Sequence, residues 1–143
     1  MTTIRTRLVT SVLAALALGT AGAASAQRAP DCRAPLAAWT QIDLYLGRGM
    51  PDGGIVDEAG FRRFVDEVVT PRFPDGLSIL DVAGQYRDAA GTVRREPSKL
   101  LVLLVPEAPV VSGRVAEIVS GYKRMFRQES VLRVERPVCL AFD

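Results

Sequence analysis

Lys99-Leu100-Leu101-Val102-Leu103-Leu104-Val105 is the stretch that decides the fold. Every residue after Lys99 is apolar, so neither side of this strand faces water, and it belongs in the interior of a sheet. Pro106 and Pro109 end it. Further upstream, Trp39 to Leu46 alternates instead. Thr40, Ile42, Leu44 and Leu46 form one row and Trp39, Gln41, Asp43 and Tyr45 the other, the pattern of a strand with one buried face. Between these two runs the chain breaks at Gly47 to Gly54, a loop rich in Gly, Pro and Asp.

A helix follows. Asp57 is placed to cap it, and Phe61, Phe64, Val65, Val68 and Val69 make its apolar stripe. Thr70-Pro71 ends it, because a residue before proline is pushed out of the α region. Phe73-Pro74-Asp75-Gly76 reads as a type I turn. Leu77 to Arg87 reads as a second strand, Asp88 to Gly91 as a hairpin tip, and Thr92 to Glu96 as an extension of the returning third strand. Past Pro109, Ser112 is the expected cap of a second helix with Val115, Ile118, Val119, Tyr122, Met125 and Phe126 inward. Ser130 to Phe142 is a last strand, and Pro137 assigns it to a sheet edge. The order β-α-β-β-α-β predicts an α+β, ferredoxin-like sandwich over residues 39–143. Right-handed crossovers give strand order 4-1-3-2, with both helices on one face.

The N-terminus adds a destination. Arg5 and Arg7 precede the mainly apolar run Leu8 to Leu18, and Ala24-Ser25-Ala26 fits signal-peptidase cleavage, so residues 1–26 are expected to be a removed secretory signal. The apolar run is shorter than a bilayer of roughly 30 Å requires, and no membrane span is expected after cleavage. Of the 143 residues 117 then remain, with 16 Lys+Arg against 16 Asp+Glu once Arg5 and Arg7 are gone. A neutral domain gives no electrostatic case for nucleic acid. Residues 27–38 form a leader containing Cys32, and Cys139 stands near the other end of the chain. Export permits a disulfide, and two cysteines allow one pairing. In strand order 4-1-3-2 the end of strand 4 meets the start of strand 1, where these cysteines fall. A periplasmic or secreted location follows.

With both helices on one face, the other face is open. Trp39, Gln41, Asp43 and Tyr45 are assigned to it from strand 1. Asp81, Gln85 and Arg87 are assigned to it from strand 2, Leu101, Leu103 and Lys99 from strand 3, and Arg133 and Glu135 from strand 4. Aromatic and aliphatic groups at its centre call for a cover, whether a second copy or a ligand. Two readings stand. In one, the charges form cross-strand pairs such as Asp43 with Arg133 on a solvated face. In the other, Tyr45, Gln85, Lys99 and Arg133, with Arg87 beside them, converge as a pocket for an anionic small molecule. Histidine is absent from the sequence, which excludes His triads, His metal sites and imidazole acid–base chemistry. Two thiols without histidine make a poor zinc site, and no phosphate-binding or nucleophile-elbow motif is present. Neither a cofactor nor a metal is expected.

Across residues 39 to 142 the chain resembles a family of small exported bacterial proteins with no assigned activity, domain of unknown function 3574. The resemblance is carried by Asp43-Leu44-Tyr45-Leu46-Gly47-Arg48, by Val69-Thr70-Pro71-Arg72-Phe73-Pro74-Asp75-Gly76-Leu77 and by Gly84-Gln85-Tyr86-Arg87. It continues in Glu96-Pro97-Ser98-Lys99 and Gln128-Glu129-Ser130-Val131-Leu132-Arg133-Val134. Leu46 departs from a frequent phenylalanine, and Phe61 or Tyr86 from a tryptophan. The resemblance implies that Tyr45, Arg72, Gln85, Arg87, Lys99, Glu129, Ser130 and Arg133 sit in recurrent motifs, but it names no substrate. Structural roles stand beside these: Arg72 and Asp75 shaping a turn, Glu129 and Ser130 closing the second helix, Lys99 blunting a strand end. The expected function is an exported small-ligand-binding or protein-interaction module, homodimeric through the open face. The alternative is a cofactor-independent enzyme of the dimeric ferredoxin-like α/β-barrel type, using that face as its pocket.

Overall fold

Leu44, Leu46, Leu101 and Leu103 are wholly buried, and the rest of the domain is arranged around this double row. In the computed structural model residues 30–88, 90–106 and 109–143 are described, the side chains of residues 109 and 110 excepted. The expected signal sequence and its cleavage point lie outside the described residues. The elements run β1 (Ala37–Gly47), α1 (Glu58–Phe64), β2 (Ser78–Arg87), β3 (Val93–Val105), α2 (Pro109–Phe126) and β4 (Leu132–Leu140). Their sheet has the order β2-β3-β1-β4, all neighbours antiparallel. The alternating strand β1 and the strand with the unbroken apolar run, β3, are thus the two interior strands.

Asp57 caps α1 as expected, its carboxylate accepting from the Gly60 N–H at 2.7 Å. After Phe64 the helix loosens into a π-helical turn, Val65–Val69, marked by the Thr70 N–H bonding Val65 O at 2.8 Å. The extra residue in that turn rotates the stripe. Val69 becomes fully buried beside Phe61 and Phe64, while Val65 and Val68 sit at the margin of the core. Thr70 keeps helical dihedrals, φ −55° and ψ −42°. What ends the helix is the N–H that Pro71 lacks rather than a change of conformation before it.

The second helix begins one turn earlier than its expected cap. Pro109 is its first residue and Ser112 lies inside it, an arrangement that suits proline, whose fixed φ and missing N–H cost nothing at that position. From α2, Val115, Ile118 and Tyr122 are fully buried against Phe64 and the inner row of the sheet. Tyr122 stacks edge-on to Phe64, with ring centres 5.0 Å apart. At the opposite end of the sheet Cys32 and Cys139 form a disulfide with Cα atoms 5.6 Å apart, tying the leader to β4.

Candidate functional site

The pairing register decides which side chains share the face without helices. Along β1, Asp43 stands opposite Val102 on β3 and Val134 on β4, and Tyr45 opposite Leu100 and Leu132. Gln41 stands between Leu104 and Arg136, and Trp39 opposite Val138. On the β2 side, Leu80 lies opposite Leu100 and Ser78 opposite Val102. The open face is therefore a field of Leu, Val, Trp and Tyr side chains. Leu132 is 59% exposed, Leu80 47% and Leu104 40%.

One polar group sits at the centre of this field. Asp43 is 3% exposed although both helices lie on the other side of the sheet, because its neighbours close around it. Gln41 donates its amide N–H to one carboxylate oxygen at 2.8 Å, and the Arg136 guanidinium reaches the other at 2.8 Å. Arg136 itself is 54% exposed and retains donors for further acceptors. A satisfied ion pair inside an apolar surface adds direction to a contact that hydrophobic burial alone leaves unspecific.

The sequence-predicted site does not assemble. Tyr45 is on the open face, but Arg133 pairs in register with Leu44 and so faces the helix side, opposite to Tyr45. Lys99 stands opposite Leu46, again on the helix side, with Leu101 and Leu103. Gln85, Arg87 and Asp81 share the Lys99 side of β2 and β3. The ion pair expected between Asp43 and Arg133 is made by Arg136 instead, and Arg133 turns to Glu135, its Nε 2.6 Å from the carboxylate. The physical reason is the width of the helix layer. Two helices cover the interior strands and leave the edge strands' inner sides at the rim, in contact with water. Polar residues there mark the rim, not the open face.

Lys99 has a different environment from the one expected. Its side chain is 6% exposed, with its ammonium 2.6 Å from Asp81, 3.0 Å from Glu58 and 5.6 Å from the centre of the Phe61 ring. The Asp81 carboxylate, assisted by Glu58 and opposed by burial, holds the Lys99 pKa above its ordinary value. Glu58 also accepts from Arg48 at 2.7 Å, so Arg48, Glu58, Lys99 and Asp81 form a chain of alternating charge from the β1–α1 loop to β2.

The same corner explains several motif residues. A Cβ on Gly47 would lie 2.5 Å from a Glu96 carboxylate oxygen, and the Gly49 N–H binds that carboxylate at 2.8 Å. Gln128 donates to Gly49 O at 2.6 Å, and Tyr122 donates its hydroxyl to Gly47 O at 2.9 Å. Burial pushes the Tyr122 phenol far up, so it remains a neutral donor. Gly47, Arg48, Glu96, Lys99 and Gln128 therefore hold one loop against the sheet end. Arg72 likewise bonds Val68 O at 2.6 Å and Glu117 at 2.7 Å, joining the turn after α1 to α2.

Gln41 was legible in the polar row of β1; Arg136 was not, since its row could be assigned only from the register with β1. A family model described as a protein of unknown function, DUF3574, matches residues 41–142. The chain belongs to that family. Its solved neighbours share the ferredoxin-like fold. A phage S-adenosylmethionine lyase, solved in complex with S-methyl-5'-thioadenosine, is 15% identical and superposes with a TM-score of 0.58, covering 73% of this chain and 90% of its own. CutA from Synechococcus elongatus is 10% identical, with a TM-score of 0.45 and coverage of 70% and 76%. CPII from Thiomonas intermedia, bound to ADP and bicarbonate, is 13% identical, with a TM-score of 0.44 and coverage of 73% and 90%. No curated protein matches the sequence.

Proposed function

We propose that this chain is an interaction module acting outside the cytoplasm, and that it works by closing its open sheet face on a second copy of itself. The observation that carries this reading is the apolar field of Leu80, Leu100, Val102, Leu104, Leu132 and Val134 around the Asp43–Arg136 pair. Four strands about 4.8 Å apart and about nine residues long at about 3.4 Å per residue give a footprint of roughly 600 Å². Side-chain relief raises the accessible area above that projection, toward the roughly 800 Å² per partner of a stable interface. The disulfide supports the extracytoplasmic setting, where such bonds persist.

A bound small molecule is a second use of the same face, favoured by one observation. Asp43, Gln41 and Arg136 offer an acceptor and donors within a wall of aromatic and aliphatic groups, and a second copy would close that wall into a cavity.

The test is the mass of the assembly. Sedimentation of the purified protein at micromolar concentration is expected to show self-association. Leu104→Glu, at a position 40% exposed and so harmless to the monomer fold, is expected to halve the assembly's mass. An unchanged mass with an unchanged circular dichroism spectrum overturns the proposal, as does a wild-type monomer.

A further inference from the structure

The sheet has two edges, and they are built differently. On β4, Pro137 removes a backbone donor, which in an edge strand faces solvent, and Arg133, Glu135 and Arg136 surround it. On β2 the guards are fewer among the described residues, Asp81 and Arg87 being its charges. Ser78–Arg87 runs ten residues without proline, bulge or lysine, paired one-to-one with β3 along its length. Ile79 is 40% exposed, Leu80 47% and Tyr86 50%. Beyond Gly47↔Ser98, the last pair that β1 makes with β3, the Arg48 N–H still bonds Pro97 O at 3.0 Å and the Gly49 N–H the Glu96 carboxylate, and past these residues 83–87 and 93–95 continue as a ribbon of two strands. Such a ribbon is marginal in water without a further partner.

The geometry points to β2 as the docking strand of a second copy of this chain, paired antiparallel across a two-fold axis at Gly84. Opposite residues in an antiparallel pair share a face, so a two-fold axis normal to the sheet must pass through a residue. With Gly84 on the axis, Asp81 meets the partner's Arg87, Val82 meets the partner's Tyr86 and Ala83 meets the partner's Gln85, each twice. Asp81 and Arg87 are the charged residues of β2, and this register sets them against each other on one side while the apolar pairs meet on the other. Cross-strand pairs of both kinds stabilise a sheet. Asp81 is 78% exposed even while holding Lys99, and Arg87, bonded to Gly91 O at 2.7 Å, keeps further N–H donors. The contact uses strand edges and is separate from the open-face contact, although the two would join the apolar faces of neighbouring copies.

Disulfide trapping tests both the edge and its register. Ala83 and Gln85 face the helix side of the sheet, so closure of the open faces does not bring them together. Ala83→Cys and a tagged Gln85→Cys protein, each also carrying Leu104→Glu, are mixed and treated with oxidised glutathione. The expected product is a mixed covalent dimer, absent when either protein is oxidised alone. Circular dichroism confirms that each variant is folded. Absence of the mixed dimer at a concentration of about 100 µM overturns the inference, the upper part of the range in which weak specific contacts form. Cross-linking of Ala83→Cys with itself overturns the Gly84 register, because it places the axis at Ala83. Either result leaves the mass change of Leu104→Glu alone as the measure of the open-face reading.

Discussion

Removing the disulfide with Cys32→Ser and Cys139→Ser is the perturbation whose size follows most directly from the structure. The bond joins residues 107 apart in sequence, and a closed loop of about that length restricts the unfolded chain by an entropy worth about 4.8 kcal/mol at 25 °C. That is a large share of the roughly 5–15 kcal/mol by which a domain is stable. A domain of this size unfolds with an entropy of about 0.24 kcal/mol/K, so the loss corresponds to a fall in Tm of about 20 °C. Thermal unfolding followed by circular dichroism, with oxidised wild type beside the double variant, measures it. Reduction of the wild type is expected to reproduce the variant's curve, since both free the leader from β4. A fall below about 5 °C would refute the loop-entropy reasoning, showing that the unfolded chain is already restricted or that the leader contributes nothing.

Two further outcomes follow from buried charge. Arg136→Ala is expected to cost about 1–3 kcal/mol in urea unfolding, because among the described residues it leaves the buried Asp43 carboxylate with the Gln41 amide alone; the double variant with Asp43→Ala should lose less than the sum of the two single losses, and strict additivity would show that the pair is not coupled. Lys99, whose folded pKa lies above its ordinary 10.5, contributes stability that is complete below that value and is lost as pH rises through the higher folded one. Alkaline unfolding should therefore be steeper in wild type than in Lys99→Met, and identical pH profiles above about 10 would contradict the sign.

Much of the architecture was legible in the chain. The uninterrupted apolar run Leu100 to Val105 marked an interior strand, the alternation of Trp39 to Leu46 marked its neighbour, and Pro137 marked an edge. From these and the helix stripes came the strand order and the meeting of Cys32 with Cys139. The family motifs were also legible, but the structure gives several of them a local task. Gly47 and Gly49 make room for Glu96, and Gln128 closes on Gly49.

What tertiary structure alone decided is the facing of β2, β3 and β4. A strand apolar on both sides carries no parity, so Leu100 to Val105 could not say which row met the helices. β2 and β4 do carry polar rows, at Asp81, Gln85 and Arg87 and at Arg133 and Glu135, and these suggest the wrong face. Their wetting comes from the rim of a two-helix layer that does not reach the edge strands. Side chains alternate with a period of two, so an error of one residue in register exchanges whole faces. The register itself is set by pairings between residues tens of positions apart, as with Asp43 and Val134. For that reason the residues of the open face, and the partnership of Asp43 with Arg136, appear only once the chain is folded.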